Sequence, residues 1–240
     1  MRNYPFLVEA RTIGQAWLEV IRTILEDGWD WFDEGRALKE VIGLRVVVQE
    51  PSEHDEIIGK YGVRGHVEEF ERAFFTPTLW LRDVDVRKNF EPWQALTYWP
   101  RLHALGIDQV EKVIERLSSV PESKRAVISV LLPSLDWNMD YMPCIDIMHF
   151  MLRPGKESLA LHQFVYARGL DFGQKAYANM VVLARLQREI REAIEQRRGE
   201  PIELGTLDMF VGSAHIYEEC YESMQRILLE TQRGGSDVGS

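Results

Sequence analysis

The 240-residue sequence predicts an α+β fold in which helices pack on a sheet. Three observations support this class. Helical periodicity of apolar residues recurs along the chain, a run of short β-rich segments lies near its middle, and the two kinds of segment do not alternate regularly. With 45% hydrophobic residues the chain can bury one sizeable core, so we expect a single domain over residues 1–240.

The first predicted element is a helix. Apolar residues recur at intervals of three and four over residues 10–27, and Gly28 is a natural helix end. Residues 41–48 are rich in β-branched side chains and precede a Glu-Pro pair, which predicts a strand followed by a turn. A second helical pattern covers 67–75, whereas residues 76–100 are expected to be irregular.

A run of strands is predicted in the middle of the chain. A helix over 108–117 and a turn at 121–123 precede three short apolar or alternating segments, at 126–132, 144–152 and 158–166. An Arg-Pro-Gly-Lys loop joins the last two segments, and such short loops connect neighbouring antiparallel strands. We therefore expect an antiparallel sheet here.

The C-terminal part returns to helices. A long amphipathic helix is predicted over 176–198, a strand over 205–211 and a further helix over 217–231. The end of the chain, from about 232 to 240, is rich in Gly and Ser and is expected to be a flexible tail. Neither an internal repeat nor a domain linker interrupts this order.

Composition argues against several functional classes. The formal charge of −10 and the pI near 5.2 oppose nucleic acid and anionic membranes as partners, because both attract basic surfaces. The sequence has no apolar run of about eighteen residues and no apolar signal core, so a cytoplasmic location is expected. Cys144 and Cys220 lie far apart without metal-ligand spacing, so neither a disulfide framework nor a metal site is expected.

Five short segments place polar residues in a fixed order around Cys144, although a single cysteine in an apolar strand is more often inert. They are Ser123-Lys124-Arg125, Pro143-Cys144, Arg168-Gly169-Leu170-Asp171, Asn179 and Gly212-Ser213-Ala214-His215-Ile216-Tyr217. In order and spacing, with Cys144 nineteen residues after Arg125, these segments resemble the thymidylate synthases. That family transfers a one-carbon unit from methylenetetrahydrofolate to C5 of a pyrimidine nucleoside monophosphate.

The resemblance implies a catalytic nucleophile and a reader of the base. Cys144 would attack C6, which turns C5 from a poor nucleophile into an enolate carbon. Asn179 would bind N3–H and O4 of uracil and stabilise the charge that develops on O4. Asp171 would contact the folate. Trp93 and Trp99 are expected to pack in the core, with stacking on the folate as the alternative.

The resemblance also assigns the phosphate and the sugar. Arg168 would bind the nucleotide phosphate, and its charge would favour the thiolate of the nucleophile. Lys124 and Arg125 would reach the phosphate bound by a partner subunit, so a homodimer is expected, with a sheet face at its interface. His215 and Tyr217 would hold the sugar hydroxyl.

The first hundred residues match the family less clearly. Arg36 is the candidate for an N-terminal phosphate-binding arginine, although the Gly- and Thr-rich run that usually follows is missing. A solvated surface arginine is the alternative interpretation. The family's catalytic glutamate is expected on an early helix, where Glu69 is chosen from three candidates. They are Glu68, Glu69 and Glu71.

Three substitutions depart from the family's pattern. Lys124 stands where the family has Arg, Gly169 replaces a Ser that would donate to the phosphate, and Ser213 replaces Asp. The leading hypothesis is conversion of dUMP to dTMP. The rival is a 5-hydroxymethylase of dUMP, dCMP or CMP, in which water captures the exocyclic methylene, and the absence of an apolar tail supports this rival. A nucleotide-binding relative without turnover is the non-enzyme alternative, but it would not need the thiol of Cys144.

Overall fold

A seven-stranded mixed sheet organises the computed structural model, which describes residues 6–77, 97–103, 106–138 and 142–236. The strands are β1 (Leu7–Ala10), β2 (Trp29–Asp33), β3 (Arg36–Val48), β4 (Val127–Ser129), β5 (Ile145–Pro154), β6 (Leu159–Asp171) and β7 (Ile202–Tyr217). Their order is β1-β3-β7-β6-β5-β4, with β2 also paired to β3. β1 is parallel to β3 and β6 to β7, and the other neighbours are antiparallel. The predicted α+β class, with its antiparallel block β4-β5-β6, is confirmed.

Helices cover one face of this sheet. They are α1 (Ile13–Asp27), α2 (Glu56–Tyr61), α3 (Arg64–Phe75), α4 (Tyr98–His103), α5 (Gln109–Ser119), α6 (Pro133–Asp136), α7 (Ala176–Arg198) and α8 (Tyr221–Ser236), with a 3-10 turn at Glu218–Cys220. α1 and α7 pack on the strands, and α3 and α5 pack on α7. None of the helices in the described ranges is long and apolar enough to cross a membrane.

Local signals account for the helix ends that agree with the prediction. A capping box formed by Thr12 and Gln15 begins α1, and Gly28 closes it by donating its backbone N–H to Ile24. The predicted bounds of α7 are confirmed at both ends. It stops at Gly199, whose φ of 68° is the left-handed conformation that favours glycine at a helix end.

Pairing between distant strands accounts for the largest differences from the prediction. β3 begins five residues earlier than predicted and β7 ends six residues later, because the two pair along their length from Leu38–Tyr217 to Val48–Leu207. β4 is shorter than predicted, since the N–H groups of Val130 and Leu131 both bond to the carbonyl oxygen of Asp146. The strands β1 and β2 and the helix α2 were not predicted.

Two further boundaries need correction. The segment 76–100, predicted to be irregular, contains the start of α4 at Tyr98, whereas residues 78–96 lie outside the described residues. The predicted tail from about 232 overlaps α8, which continues to Ser236. A glycine near a helix end costs only about 1 kcal/mol, so Gly234 and Gly235 do not prevent this continuation.

The alternation of buried and outward-facing side chains shifts by one residue at a row that crosses three strands of the sheet. Gly43 and Gly212 lie between the paired residues Ile42–Ser213 and Leu44–Val211. Gly43 has φ of 67°, and a Cβ atom on Gly212 would lie 2.7 Å from the carbonyl oxygen of Arg168. On β7 the apolar residues that are at most 1% exposed are 207, 209 and 211 before this row but 214 and 216 after it. After the row, Ala214 and Ile216 therefore lie in the core, and Ser213 and His215 point away from it.

The opposite face of the sheet is covered by no helix among the described elements. Phe210, Tyr166 and Ile147 are register neighbours on β7, β6 and β5, and each is more than 40% exposed. The rings of Tyr166 and Phe210 stack with centroids 5.7 Å apart. This outer face, defined by Phe210, Tyr166, Ile147 and Val127, is an apolar surface on a single chain.

Candidate active site

The loop that carries Cys144 is held by Arg168. The backbone N–H of Arg168 donates to the carbonyl oxygen of Cys144 at 3.0 Å, and its guanidinium donates to Pro143 at 2.9 Å and to Met142 at 2.7 Å. A guanidinium stays charged throughout the physiological range. One residue therefore fixes the loop and brings a permanent positive charge to it, and two residues predicted for the site lie together.

Tyr98 on α4 reaches the same loop. Its ring stacks on Phe74 with centroids 4.3 Å apart, and its buried hydroxyl faces the backbone amides of Cys144 and Ile145. The hydroxyl has no hydrogen bond of normal geometry to any described residue. Burial raises the pKa of Tyr98, and the neighbouring thiol raises it further. The phenol thus stays protonated and can still bond a ligand.

The carboxamide of Asn179 lies in the first turn of α7 and is 2% exposed. Its Nδ2 donates to the carbonyl oxygen of Lys175 at 3.1 Å, which fixes the orientation of the amide. Its Oδ1 is buried and has no partner in the part of the chain that the structure describes. An unmet buried acceptor costs about 1–3 kcal/mol, so this oxygen suits a ligand N–H.

Asp171 and His215 face each other at the ends of the parallel strands β6 and β7. The Oδ1 of Asp171 accepts from the backbone N–H of Gly173 at 2.9 Å. Burial raises the pKa of Asp171, against the opposing charges of His215, Lys175 and Arg36. The carboxyl therefore lies inside a group of basic residues at the entrance to α7.

Ser213 orients His215. The hydroxyl of Ser213 donates to Oε2 of Glu40 at 2.6 Å and lies 3.2 Å from Nδ1 of His215. The imidazole also meets the ring of Tyr217 edge-on, with centroids 5.2 Å apart. The two residues predicted for sugar binding are thus adjacent, and the unusual serine is in contact with one of them.

Arg36 and Tyr217 form one unit. The guanidinium of Arg36 lies 3.3 Å from the centre of the Tyr217 ring and pairs with the carboxylate of Glu219. The hydroxyl of Tyr217 donates to Asp33 at 2.6 Å. Burial, followed by the hydrogen bond and charge of Asp33, raises the pKa of Tyr217. The residues predicted for phosphate and sugar contact therefore lie together, next to two carboxylates.

The three glutamates of α3 differ in their surroundings. Glu68 is exposed and pairs with Arg64 at 2.8 Å, and Glu71 pairs with Arg185 at 3.1 Å. Glu69 is half-buried. Glu68 and Glu71 thus each pair with an arginine, and the choice of Glu69 for the predicted role stays a prediction.

The start of α3 is anchored beside Asn179. The backbone N–H of Val63 donates to the hydroxyl of Tyr177 at 2.8 Å, and Nδ1 of His66 lies 3.0 Å from the same oxygen. Burial raises the pKa of Tyr177 to about 12, so the phenol remains a neutral hydrogen-bonding group. This contact fixes α3, and with it Glu69, relative to the first turn of α7.

Lys124 and Arg125 lie away from the thiol of their own chain. Both are exposed, just before β4, and the carbonyl oxygen of Ala126 accepts from the N–H of Phe150. Phe150 lies six positions after Cys144, which corresponds to about 20 Å along an extended strand. The structure therefore does not bring this basic pair to the site in the same chain.

Two buried features near the thiol were not predicted. Arg101 on α4 and Asp136 on α6 form a fully buried bidentate ion pair, with distances of 2.6 and 2.9 Å. Asp146, two residues after Cys144, is 7% exposed, and burial raises its pKa against the charge of Arg168. An acid next to a Pro-Cys pair was the available sequence signal, but its burial depends on distant elements.

Other predicted features are placed as follows. Trp99 is half-buried with its ring 5.5 Å from that of His103, whereas Trp93 lies outside the described residues. No disulfide joins Cys144 to Cys220. Within the described ranges, no three His, Cys, Asp or Glu side chains gather as a metal site.

Comparisons with known proteins agree on one family. A family model described as Thymidylate synthase matches residues 29–237. A protein of Methanopyrus kandleri, provisionally named thymidylate synthase, is 33% identical over 222 residues, which cover 91% of this chain and 96% of the relative. A protein of Methanococcoides burtonii with the same provisional name is 26% identical over 229 residues, covering 94% and 96%.

Proposed function

Because the chain belongs to the thymidylate synthase family, we propose that it converts dUMP to dTMP through a covalent bond between Cys144 and C6 of the base. The observation that carries this proposal is the clamp of Arg168 on the loop of residues 142–144. The clamp fixes the sulfur-bearing residue and supplies the positive charge that a thiolate nucleophile needs.

The base would be read by Asn179. Since its Nδ2 already donates to Lys175, its unmet Oδ1 is available to accept N3–H of uracil. The second hydrogen of Nδ2 would donate to O4, where negative charge develops once the thiolate has added to C6. The neutral hydroxyl of Tyr98 lies next to the attacking thiol and could pass a proton near C6 of the base.

The folate would bind on the side of Asp171. One carboxyl oxygen of Asp171 is held by Gly173, which leaves the other for a donor on the pterin ring. The half-buried Glu69, on a helix anchored beside Asn179, would organise water and protons around the base. When bound, methylenetetrahydrofolate supplies the carbon and, in this reaction, the hydride.

The phosphate would be shared between two subunits. Arg168 and Arg36 would bind it from within the chain, while His215 and Tyr217 hold the sugar hydroxyl. Lys124 and Arg125 lie about 20 Å along the sheet from their own thiol, so they would serve the partner's site. The exposed outer face of Phe210, Tyr166, Ile147 and Val127 supports a homodimer that buries it.

The second candidate is a 5-hydroxymethylase that acts on dUMP, dCMP or CMP. The surroundings of Gly169 support retaining this second candidate function. A Cβ atom there would meet the carbonyl oxygen of Ser213 at 3.6 Å and His215 at 3.9 Å, which is ordinary contact. The backbone thus has room for the family's Ser at this position, and its absence alters the surroundings of the phosphate and sugar.

One experiment separates the two candidates. The protein is incubated with methylenetetrahydrofolate and, in turn, dUMP, dCMP, UMP or CMP, and the product is identified by mass spectrometry. A methylated product with stoichiometric dihydrofolate supports the synthase. A hydroxymethylated product without dihydrofolate supports the rival, and no product from any of the four would contradict both.

A further inference from the structure

Asp146 is a buried acid that the proposed reaction does not use. Only 7% of its surface is exposed, and its Oδ1 has no hydrogen-bond partner in the described ranges. Native proteins rarely bury a carboxyl oxygen without a donor, because the desolvation of the charged form is left uncompensated. A role at the neighbouring Cys144 would account for its retention there.

The backbone holds Asp146 in a defined place. The pairing of β5 with β6 shifts register between Ile145 and Ile147, so Asp146 is the extra residue of a bulge. Its carbonyl oxygen accepts from the N–H groups of Val130 and Leu131, at 2.8 and 3.0 Å. Along a strand, Cα atoms two positions apart are separated by about 7 Å, so the carboxyl of Asp146 is kept within electrostatic reach of the Cys144 thiol.

Among the described residues, charged and titratable groups on four elements lie near the Cys144 loop. Tyr98 and Arg101 come from α4, Asp136 from α6, Asp146 from β5 and Arg168 from β6. The charges of Arg101 and Asp136 cancel within their bidentate pair. The positive charge of Arg168 interacts electrostatically with Asp146, but no ion pair of 4 Å or less joins these two residues. The carboxylate of Asp146 is therefore placed to offset the charge that Arg168 brings to the loop.

Building on the proposed role of Cys144, we propose that Asp146 is a positioning residue whose negative charge restrains ionisation of the Cys144 thiol. Arg168 favours the thiolate, and Asp146 opposes it from a fixed position in the bulge. The balance keeps the unoccupied site less reactive toward oxidants and electrophiles than Arg168 alone would make it.

The test measures the reactivity of Cys144 without any nucleotide or folate. Wild type and Asp146→Asn are alkylated with iodoacetamide over a pH series, and peptides containing Cys144 and Cys220 are quantified separately by mass spectrometry. Removing the charge should lower the pH midpoint for Cys144 by about one unit. Near pH 7 the alkylation rate should rise about threefold, because a lower thiol pKa also reduces its nucleophilicity. Asp146→Glu, which keeps the charge, should stay close to wild type.

Two controls make the result decisive. Asp208→Asn removes a largely buried aspartate elsewhere in the sheet, where it pairs with Arg45, and should not move the midpoint. Asp146→Ser is a second uncharged variant in case the Asn protein does not fold, which thermal melting by circular dichroism reports. An unchanged midpoint in the folded uncharged variant, or the same shift in Asp146→Glu, would overturn the proposal. Since alkylation needs no turnover, this result is independent of the product test above.

Discussion

Cys144 is the residue on which the proposed chemistry depends. Replacing it with Ser keeps nearly the same shape but exchanges a thiol for a hydroxyl, which is much harder to ionise and a weaker nucleophile. We expect turnover of dUMP to fall by about 10⁴-fold or more. Nucleotide binding, measured by calorimetry, should stay within a few-fold of wild type because the Arg168 clamp uses only backbone oxygens of the loop. Turnover that survives the substitution would rule out the covalent route.

Asn179 is expected to set the choice of base. Asn179→Asp replaces a donor to O4 by an oxygen, and a protonated carboxyl suits the N3 and amino group of cytosine better. The ratio of kcat/KM for dUMP to that for dCMP should fall by about 10- to 100-fold, as for an exchanged buried hydrogen bond. Asn138→Asp, at an exposed amide, is the matched control. An unchanged ratio in Asn179→Asp would mean that another group reads the base.

The candidate site residues that the sequence could name are those that belong to a recognisable motif. Cys144, Arg168 and Asn179 could be named because their order along the chain resembles a family, and the structure brings Arg168 to the backbone of the Cys144 loop. Tyr98 and Asp146 could not be found in this way. Their importance comes from burial against the Cys144 loop, and burial depends on elements far away in the sequence.

At the scale of elements, Glu203 closes the hairpin between β5 and β6. Its carboxylate accepts from the backbone N–H groups of Lys156, Glu157 and Ser158, at 3.1, 2.8 and 2.6 Å. These bonds lower the pKa of Glu203 from its ordinary value of 4.5 to about 2. A carboxyl whose pKa is lower in the folded than in the unfolded protein stabilises the fold at pH values above its unfolded pKa. This stabilisation is lost as the pH falls through its folded pKa.

Glu203→Gln should therefore destabilise the protein in a pH-dependent way. At pH 7 its Tm should lie below that of wild type, and the difference should shrink as the pH falls from about 4.5 toward about 2. Thermal melts at several pH values measure this. Glu200→Gln, at an exposed carboxylate paired with Arg198, is the control. A difference in Tm that does not change with pH would show that the hairpin does not depend on the ionised carboxylate.

Elements with strong local signals were the most predictable. The ends of α7 could be placed because its apolar period, its terminal arginines and Gly199 agree. The start of β3 and the end of β7 could not be placed, because these residues pair with each other across about 180 positions of sequence. The row of Gly43 and Gly212, where the buried side of the sheet changes, was equally inaccessible, because neither glycine shows alone which residue of the other strand lies beside it.

At the scale of the whole molecule, the site is expected to need two chains. If Arg125 serves the partner's phosphate, a subunit with Arg125→Ala damages the neighbouring site and a subunit with Cys144→Ser damages its own. Mixed dimers would then contain one site with both residues intact. Mixing the two inactive proteins under conditions that exchange subunits should restore about a quarter of wild-type activity for random pairing. Mixtures that regain no activity despite proven exchange would contradict the shared site.

The place of β7 in the sheet has a consequence for the order of assembly. This strand is the last in the sequence, yet it lies between β3 and β6 and joins the N-terminal strands to β4, β5 and β6. Until residues 202–217 have left the ribosome, the two halves of the sheet share no strand pairing, and both expose open edges. His215 and Tyr217 arrive with the strand that unites the halves. The nascent chain thus acquires its complete constellation of site residues only when the sheet itself closes.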